Sequence, residues 1–452
     1  MIETTLAQLT LNITDGKHGD CVNESGSGYY FISCKDITNG NINYENARQI
    51  TKKDFLETHK RTMLEPNDIL VTNSGTIGRM AFVKDIPLTY RTTFQKSVAI
   101  VKPDSNKILP RYLYYLLQYC VDDFINQSNG AAQKNLLLST MRAFNLKYHS
   151  STEKQKQIAD ILSAYDDLIE NNQKQIKLLE EAAQRLYKEW FVDFRFPGYK
   201  NTPIIDGVPQ GWRIDEVKSV VSLLSGYAFK SNDFVERGKY KIVTIKNVQD
   251  GSFDGENVNT IAEIPSKMPR HCILNDGDIL LSLTGNVGRV CLVNGKDYLL
   301  NQRVAKLDSK YPAYAYCLFR NKDMFDIMNN LANGAAQQNL SPIRTENVRI
   351  LIPSDGLIQK FEDVVSPMIS KMLVLNKANS NLKQARDRLL PKLMSGEIDF
   401  SEKKHAEILQ LPKKISYEEF LAELGMAARA KSISEFDLKA MYEAYLDDDA
   451  TE

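Results

Sequence analysis

The chain of 452 residues lacks the main sequence features of membrane-bound, secreted and zinc-binding proteins. No apolar run approaches the roughly 18 residues that a membrane-spanning helix requires. The first residues contain no basic segment followed by an apolar one, so we expect no secretory signal. The six cysteines show no CxxC spacing, which argues against structural zinc and against a disulfide framework. We therefore expect reduced thiols and a cytoplasmic location.

Motifs for chemistry are also missing. No two prolines are consecutive, which excludes the Asn/Asp-Pro-Pro-aromatic motif of amino-methyltransferases. Six residues separate Gly288 from Gly295-Lys296, whereas a phosphate-binding P-loop needs four. Gly26-Ser27-Gly28 lacks the third glycine of a dinucleotide-binding fingerprint, and no paired carboxylates, HExxH or GxSxG motif stands out. The sequence therefore predicts a protein without catalytic machinery, cofactor or metal of its own.

The net charge is zero, but it is unevenly distributed. Residues 401–452 contain 7 Lys or Arg against 12 Asp or Glu, so residues 1–400 contain 50 against 45. The main part of the chain is thus mildly basic, which is weaker than expected for a protein that binds phosphates unaided. If this chain binds DNA, we expect another subunit to supply much of the contact with the DNA backbone.

Two pairs of similar segments reveal an internal repeat. Residues 129–136 (NGAAQKNL) match residues 333–340 (NGAAQQNL) at seven of eight positions, 204 residues apart. Upstream, Asp-Ile-Leu at 68–70 with Gly75, Gly78 and Arg79 matches the same residues at 278–280, 285, 288 and 289, an offset of 210. A domain-sized period of this kind predicts two copies of one domain. The repeated NGAAQ segment allows a structural interpretation, as a turn that leads a leucine into the core. It also allows a functional one, because Gln133, Asn135, Gln337 and Asn339 could pair with adenine edges.

Each copy has the pattern of a mixed α/β globule. Residues 29–33 and 241–245 are β-branched or aromatic, and residues 68–72 and 278–282 resemble buried strands that run into glycine-containing turns. Further strands are predicted at 80–83 and 290–293, and helical stretches at 110–124 and 311–331.

Two heptad patterns follow the globules. One begins at Thr152 and extends to Trp190, and the other runs from Ile358 to Leu393. Asn172 and Asn379 each lie on the apolar seam, so we expect the two helices to pair antiparallel and hold the globules at opposite ends of a rod. The alternative is that each helix packs on its own globule. Pro367 lies inside the second pattern, where we expect a kink or an early break.

With these parts in order, the chain resembles the specificity (S) subunit of type I restriction-modification systems. The resemblance covers nearly all of residues 1–400. It rests on the two similar globules and on three segments: residues 153–159 (EKQKQIA), 207–212 (with Gly, Pro, Gly and Trp at 207, 209, 211 and 212) and 389–396 (LLPKLMSG). The acidic residues 401–452 extend beyond the usual end of this family.

The resemblance implies two α/β target-recognition domains separated by two long antiparallel coiled-coil helices. Each domain would recognise one half of a split sequence in double-stranded DNA. The helices would set the spacer and dock two methyltransferase subunits, and a restriction and translocation subunit would complete the complex. The implied division is 1–150 for the first domain (globule 1), 151–195 for the central helix, 196–353 for the second domain (globule 2), 354–396 for the distal helix and 397–452 for the tail. A stand-alone enzyme and a scaffold that does not bind DNA are the alternatives from other classes.

Candidate DNA-binding residues follow from the repeat and the resemblance together. Variable loops at 15–20 and 225–230 are expected to carry specificity. Arg79 and Arg289 follow a Gly-x-x-Gly turn, where a phosphate contact and an ion pair inside the domain are both open. His18 alone is weak evidence for a metal or catalytic site. The candidates are Lys17, His18, Lys35, Arg79, Lys96, Gln133, Lys134, Tyr227, Lys230, Lys246, Asn286, Arg289, Arg303, Gln337 and Gln338.

Overall fold

The computed structural model describes residues 1–127, 135–256, 258–332 and 338–398. These residues form two compact units. Unit 1 contains Met1–Leu168 together with the described residues from Leu382 onwards, and unit 2 contains Ile169–Asn381. Within the described part of the chain, no helix is both long enough and apolar enough to cross a membrane.

Most strands and helices follow the same order in both halves of the chain, but α1 of the first half has no α-helical counterpart among the described residues of the second. The first half contains β1 (Ile2–Thr5), β2 (Thr10–Asp15), β3 (Tyr30–Ile32), β4 (Ile37–Thr38), β5 (Asn41–Ile42), α1 (Lys52–Thr62), β6 (Ile69–Thr72), β7 (Met80–Phe82), β8 (Thr92–Phe94), β9 (Val98–Pro103), α2 (Pro110–Tyr119), α3 (Val121–Asn126), α4 (Leu138–Ala143), β10 (Asn145–Tyr148) and α5 (Thr152–Tyr187). The helix α5 continues as a π-helical turn over Lys188–Val192.

The second half contains β11 (Ile204–Ile205), β12 (Val208–Pro209), β13 (Arg213–Glu216), β14 (Ser222–Ser225), β15 (Tyr240–Val243), β16 (Asn259–Ile261), β17 (Ile273–Leu274), β18 (Ile279–Ser282), β19 (Val290–Leu292), β20 (Tyr298–Leu300), β21 (Val304–Asp308), α6 (Pro312–Arg320), α7 (Lys322–Ala332), α8 (Pro342–Glu346), β22 (Arg349–Ile352) and α9 (Asp355–Ser395). The predicted strands at 29–33, 68–72 and 80–83 and their counterparts are confirmed. Each predicted helical stretch is confirmed as two helices, which meet at Cys120 in one copy and at Asn321 in the other.

A four-stranded antiparallel sheet of order β2-β9-β6-β7 forms the centre of globule 1. Strand β6 is buried along its whole length because its apolar side chains alternate between two layers. Ile69 and Val71 pack with the helices, whereas Leu70 packs with Ile32 and Phe94 of the parallel pair β3–β8.

The same architecture recurs in globule 2. Its sheet has the order β14-β21-β18-β19, and the buried strand β18 again divides its side chains between two layers. Ile279 and Leu281 face the helical cluster, whereas Leu280 packs with Val243 and Leu300 of β15 and β20. The strands β16 and β17 extend the β15–β20 pair to four strands, a difference from globule 1. The repeat seen in the sequence is therefore a repeat of fold.

The long helices α5 and α9 pair antiparallel within each unit. In unit 2, Asn172 Nδ2 donates to Asn379 Oδ1 at 2.8 Å, and the rings of Trp190 and Phe361 lie 5.8 Å apart. In unit 1, Arg386 Nη1 donates to Asp166 Oδ1 at 2.5 Å. In unit 2 the contacts of α5 move towards higher residue numbers as those of α9 move towards lower ones, which confirms the predicted antiparallel pairing of the two helices.

The helices also belong to the globular cores. In unit 1, Ile158 and Ile161 of α5 are buried in one cluster with Tyr112 of α2 and with Leu393 and Met394 of α9. In unit 2, the C-terminal part of α5 and the N-terminal part of α9 share a cluster with α6. The two interpretations of the heptad patterns are thus not exclusive, because each helix both pairs and packs on a globule.

A buried side chain from a long helix caps a short helix in each unit. Gln155 of α5 accepts from the Leu109 N–H at the start of α2 (3.0 Å), and its amide donates to the His149 carbonyl (2.7 Å). Glu362 of α9 accepts from the N–H groups of Ala313 and Tyr314 at the start of α6 (3.0 and 3.1 Å). These contacts satisfy N–H groups that a helix leaves without a partner inside itself.

An early break at Pro367, one of the two outcomes expected there, was wrong, because α9 runs without interruption from Asp355 to Ser395. The other, a kink, stays a prediction. Proline removes one backbone hydrogen bond and costs about 3 kcal/mol inside a helix. Its neighbours Val365 and Met368 are buried, as are Phe361 and Met372 one turn away on either side. Burial of several large apolar side chains, at about 1.5–3 kcal/mol each, outweighs that cost.

Candidate nucleic-acid interface

In globule 1, several segments meet at the turn between β8 and β9. The Lys96 N–H donates to the Lys17 carbonyl (3.1 Å), and the Gln95 N–H donates to the Ile32 carbonyl (2.8 Å). Ser97 accepts at its carbonyl from Asn73 N–H (3.1 Å) and at Oγ from Cys34 N–H (3.2 Å). This turn therefore joins the end of β2, the segment after β3 and the segment after β6.

The turn between β20 and β21 does the same in globule 2. The Gln302 N–H donates to the Tyr227 carbonyl (3.0 Å), the Asn301 N–H to the Val243 carbonyl (3.1 Å) and the Leu283 N–H to the Arg303 carbonyl (3.0 Å). The turns carry different residues, Gln-Lys-Ser in one and Asn-Gln-Arg in the other, yet they make equivalent backbone hydrogen bonds. We call the residues joined in this way the turn cluster: 15–18, 33–36, 73–79, 95–97 and 135–136 in globule 1, and 225–227, 244–247, 283–289, 301–303 and 339–340 in globule 2.

The Gly-x-x-Gly turn has the same hydrogen bonds in both copies. The Gly78 N–H donates to the Thr72 carbonyl (2.9 Å) and the Arg79 N–H to Thr72 Oγ1 (2.9 Å). The corresponding bonds from Gly288 and Arg289 to Ser282 measure 3.1 and 3.2 Å. Gly78 has a φ of +89°, and an added Cβ would lie 2.7 Å from Val121 Cγ2. Glycine is required there by both conformation and space.

The last two residues of each repeated segment, at 135–136 and 339–340, lie on this glycine turn. Asn135 bridges to Ser74, and the Leu136 N–H donates to the Asn73 carbonyl (2.8 Å). Asn339 bridges to Thr284, and the Leu340 N–H donates to the Leu283 carbonyl (2.7 Å). Both leucines are buried, as the structural interpretation requires, whereas Asn135 and Asn339 are exposed. Three candidates of this segment, Gln133, Lys134 and Gln337, lie outside the described residues.

The remaining candidates of globule 1 all lie in its turn cluster. Lys17 is half-buried, with its Nζ 3.8 Å from Asp54 and 3.9 Å from Glu57. The His18 imidazole is exposed and its Nε2 lies 2.8 Å from Asp15, a buried carboxylate that also pairs with Arg61. Lys35, Arg79 and Lys96 are exposed.

Most candidates of globule 2 lie in the equivalent cluster. The half-buried Tyr227 ring packs edge-on against Phe229, with centroids 5.1 Å apart. Arg289 donates from Nη1 to Gln249 Oε1 at 2.5 Å, which is a contact inside the domain but not the ion pair considered above. The exposed members of this cluster are Lys246, Asn286 and Arg303. Two candidates lie outside it: Lys230, whose carbonyl accepts from Asp233 N–H (3.0 Å), and Gln338, which directly precedes Asn339.

An ion pair beside each cluster joins two strands of the central sheet. Lys102 Nζ on β9 lies 2.7 Å from Asp68 at the start of β6, and Lys306 on β21 lies 2.8 Å from Asp278. Burial raises the pKa of Asp68 to about 6, although the hydrogen bond from Lys102 acts in the opposite direction. These lysines are neutralised within their own globules and have a structural role.

Gln95, Asn301 and Gln302 were not predicted from the sequence, because the two turns have different residues at each equivalent position. The strands that follow them, Val98–Pro103 and Val304–Asp308, are the signal that could have aligned these turns. Among the described residues, no group of three or more His, Cys, Asp or Glu side chains could hold a metal. The two turn clusters together present cations, amides and an aromatic ring, which are side chains suited to binding a nucleic acid.

Comparisons with known proteins agree with this geometry. The family model of the type I restriction modification DNA specificity domain matches residues 17–181 and 209–378. The specificity subunit of type I restriction enzyme MjaIX from Methanocaldococcus jannaschii is 30% identical over 395 residues, covering 83% of this chain and 88% of the relative. The specificity subunit of type I restriction enzyme HindI from Haemophilus influenzae is 22% identical over 438 residues, covering 81% and 94%.

The fold has also been solved in a similar protein. The crystal structure of the S subunit of a type I restriction-modification system from M. genitalium matches with a TM-score of 0.51 at 16% identity, covering 88% of this chain and 96% of that one. At this identity the match bears on the fold alone. Together with the two matched domains and the relatives, it leads to one conclusion: the chain belongs to the family of type I restriction-modification specificity subunits, the non-catalytic components of these enzymes.

Proposed function

We propose that this chain recognises a bipartite sequence in double-stranded DNA for a type I restriction-modification complex. Globule 1 (1–150) contacts one half of the target and globule 2 (196–353) contacts the other. The helical segments 151–195 and 354–396 set the spacer and dock two methyltransferase subunits, through which restriction subunits join in the cytoplasm. Residues 397–452 are assigned no role.

One observation carries the proposal: the two turn clusters share their backbone hydrogen bonds but differ in several of their exposed side chains. Lys17 and Tyr227 occupy equivalent places, because each accepts at its carbonyl from the second residue of the turn. A scaffold built twice with different exposed residues is suited to two different half-sites, since base edges are distinguished by side-chain chemistry. The candidates named above, including those outside the described residues, are proposed as DNA contacts on this basis.

The partners follow from the charge and the family. Residues 1–400 carry only a small positive net charge, with 50 Lys or Arg against 45 Asp or Glu. Much of the contact with the DNA backbone is therefore assigned to the methyltransferase subunits. The central test is to measure binding of the purified chain to duplex DNA with and without those subunits. Genomic DNA of a strain that carries the system is sequenced for methylated sites. A split motif with a constant spacer is the expected result. Sequence-independent binding in the full complex, or a contiguous motif, would contradict the proposal.

The spacer function has its own test. Four residues added to each helix, near Asn172 and Asn379, lengthen the pair by about 6 Å and keep the apolar seam nearly in phase. Each base pair adds about 3.4 Å, so the recognised bases should stay the same while the spacer grows by one or two. Methylated sites are mapped for this variant. An unchanged spacer with full activity would show that the helices pack the protein without setting the spacing.

A further inference from the structure

Three cationic positions occur at equivalent places in both globules. They differ in whether the cation forms an ion pair inside its own globule. Lys102 and Lys306 are nearly buried, with 13% and 16% of the side chain exposed, and each is paired with an aspartate of its own globule, the buried Asp68 or the partly exposed Asp278. Their charge is accounted for inside the globule. The other two positions are Lys35 with Lys246 and Arg79 with Arg289.

The charges of this second set have no counterpart in the fold. Lys35, Arg79 and Lys246 are exposed and Arg289 is half-buried. Within the described ranges, none of the four forms an ion pair, and Arg289 alone donates a side-chain hydrogen bond, to the neutral Gln249. A cation that occurs in both copies and pairs with no carboxylate of the described residues is not explained by the stability of its globule.

The backbone presents these cations in the same way in the two globules. Ser33 N–H donates to Asp36 Oδ2, and Thr244 N–H donates to Asn247 Oδ1, both at 2.8 Å, so a similar short turn holds Lys35 and Lys246. The exchange of Asp36 for Asn247 shows that this turn needs a side-chain oxygen and not a charge.

The residue before each lysine lies against the glycine turn that leads to the arginine. A Cβ added to Gly75 would lie 2.9 Å from Cys34 Sγ, and one added to Gly285 would lie 3.3 Å from Ile245 Cδ1. The lysine and arginine of each globule therefore belong to two segments in direct contact, as members of one turn cluster.

Residues shared by two domains that recognise different half-sites must contact what the half-sites have in common. In duplex DNA that common part is the phosphate backbone. We propose that Lys35 with Arg79, and Lys246 with Arg289, form two equivalent phosphate-binding pairs that supply affinity without base preference. The positions of the same clusters that differ, such as Lys17 against Tyr227 and Ser97 against Arg303, then recognise bases. This inference rests on the proposed function.

The test uses the full complex with its methyltransferase subunits and two duplexes of equal length. One duplex carries the mapped target and the other is a mixed sequence without it. The dissociation constant is measured over a series of salt concentrations for K35A/R79A, for K246A/R289A and for the wild type. Each lost phosphate contact lowers the salt slope by about one, so each double variant should lower it by about two on both duplexes. The methylated motif should remain unchanged.

Two sets of controls separate charge from structure. K35R/R79K retains both charges and should retain the wild-type slope. K107A and R349A each remove an exposed cation outside the turn clusters, one from each globule, and should leave the slope unchanged. Thermal unfolding of K35A/R79A should match that of the wild type, because Lys35 and Arg79 form no ion pair with any described residue. K246A/R289A also loses the hydrogen bond from Arg289 to Gln249, so its unfolding temperature should fall slightly, and K246A/R289K separates this loss from the loss of charge.

The inference is overturned if either double variant keeps the wild-type slope, or if either one changes the base preference at a half-site. A wild-type complex that binds the two duplexes equally well would overturn the proposed function instead. In that case the slopes on the mixed-sequence duplex still decide whether these cations contact phosphates.

Discussion

The two globules use the same backbone to present different chemistry. At the end of β2 in globule 1, Asp15 pairs with His18 and Arg61, and Lys17 lies near two carboxylates. At the equivalent end of β14 in globule 2, Tyr227 packs on Phe229. The surrounding main-chain hydrogen bonds are equivalent, so the scaffold does not depend on which side chains line the cluster. Such a scaffold can change its specificity at little cost to its fold.

A second difference lies away from the cluster, where the globules are fixed to the long helices. Globule 1 uses the neutral amide of Gln155, and globule 2 uses the carboxylate of Glu362. Hydrogen bonds to a charged acceptor contribute more than neutral ones when both are buried. The attachment of α6 to α9 should therefore be the stronger of the two.

The largest effect on the recognised sequence is expected when globule 1 is replaced. Exchanging residues 1–150 for the equivalent domain of a related subunit should change one half of the recognised sequence and leave the other half intact, because the two turn clusters lie in separate units. Methylated sites are mapped genome-wide before and after the exchange. A simultaneous change in both half-sites would show that the globules do not recognise DNA independently.

The two helix caps should differ in their contribution to stability. Glu362→Ala removes two charge-assisted hydrogen bonds and should destabilise α6 by about 3 kcal/mol, whereas Gln155→Ala should destabilise α2 by about 2 kcal/mol. Hydrogen exchange of the Ala313, Tyr314 and Leu109 amides measures each effect locally. Glu362→Gln keeps an acceptor without the charge and should fall between the wild type and the alanine variant. Equal losses for the two alanine variants would argue against a role for the charge.

The buried Asp68 makes the stability of globule 1 depend on pH. Its pKa is raised by burial from 3.8 to about 6, so protonated Asp68 favours the folded state. This contribution is fully present below about pH 4 and is lost as the pH rises through 6. The advantage of the wild type over Asp68→Asn should therefore fall by up to about 3 kcal/mol between pH 4 and 7.

Hydrogen exchange of the β6 amides in both proteins, compared at the same pH, follows this difference. Asp278→Asn is the matched change in globule 2 and controls for the substitution itself. A difference between wild type and Asp68→Asn that does not vary with pH would contradict the assignment to Asp68.

The smallest effect is expected for single substitutions at equivalent positions of the two turn clusters. Lys17→Ala should weaken discrimination at one half-site and Tyr227→Ala at the other, each by about tenfold, or about 1.4 kcal/mol. Binding is compared on duplexes that carry single-base changes in each half-site. A loss of affinity that is uniform over all duplexes would place these residues among the backbone contacts.

The sequence predicted the parts of the fold that depend on local pattern. The continuous apolar runs beside glycine turns predicted β6 and β18, and the heptad spacing predicted α5, α9 and their antiparallel pairing. Other parts depend on tertiary contacts. The turns at 95–97 and 301–303 hold each cluster through backbone atoms, which leave no residue signature. The continuation of α9 through Pro367 depends on buried neighbours whose contribution appears only once the core is assembled.

Unit 1 is discontinuous in the chain, because its core combines Ile158 and Ile161 with Leu393 and Met394. A nascent chain therefore emerges from the ribosome with globule 1 made but lacking its last core residues. All of Ile169–Asn381 must be translated first, which takes roughly 10–40 seconds at about 5–20 residues per second. The described part of unit 2 begins synthesis second and is nevertheless the first that can be completed. A premature stop codon before codon 389 would therefore release a protein in which globule 1, at the other end of the chain, lacks part of its core.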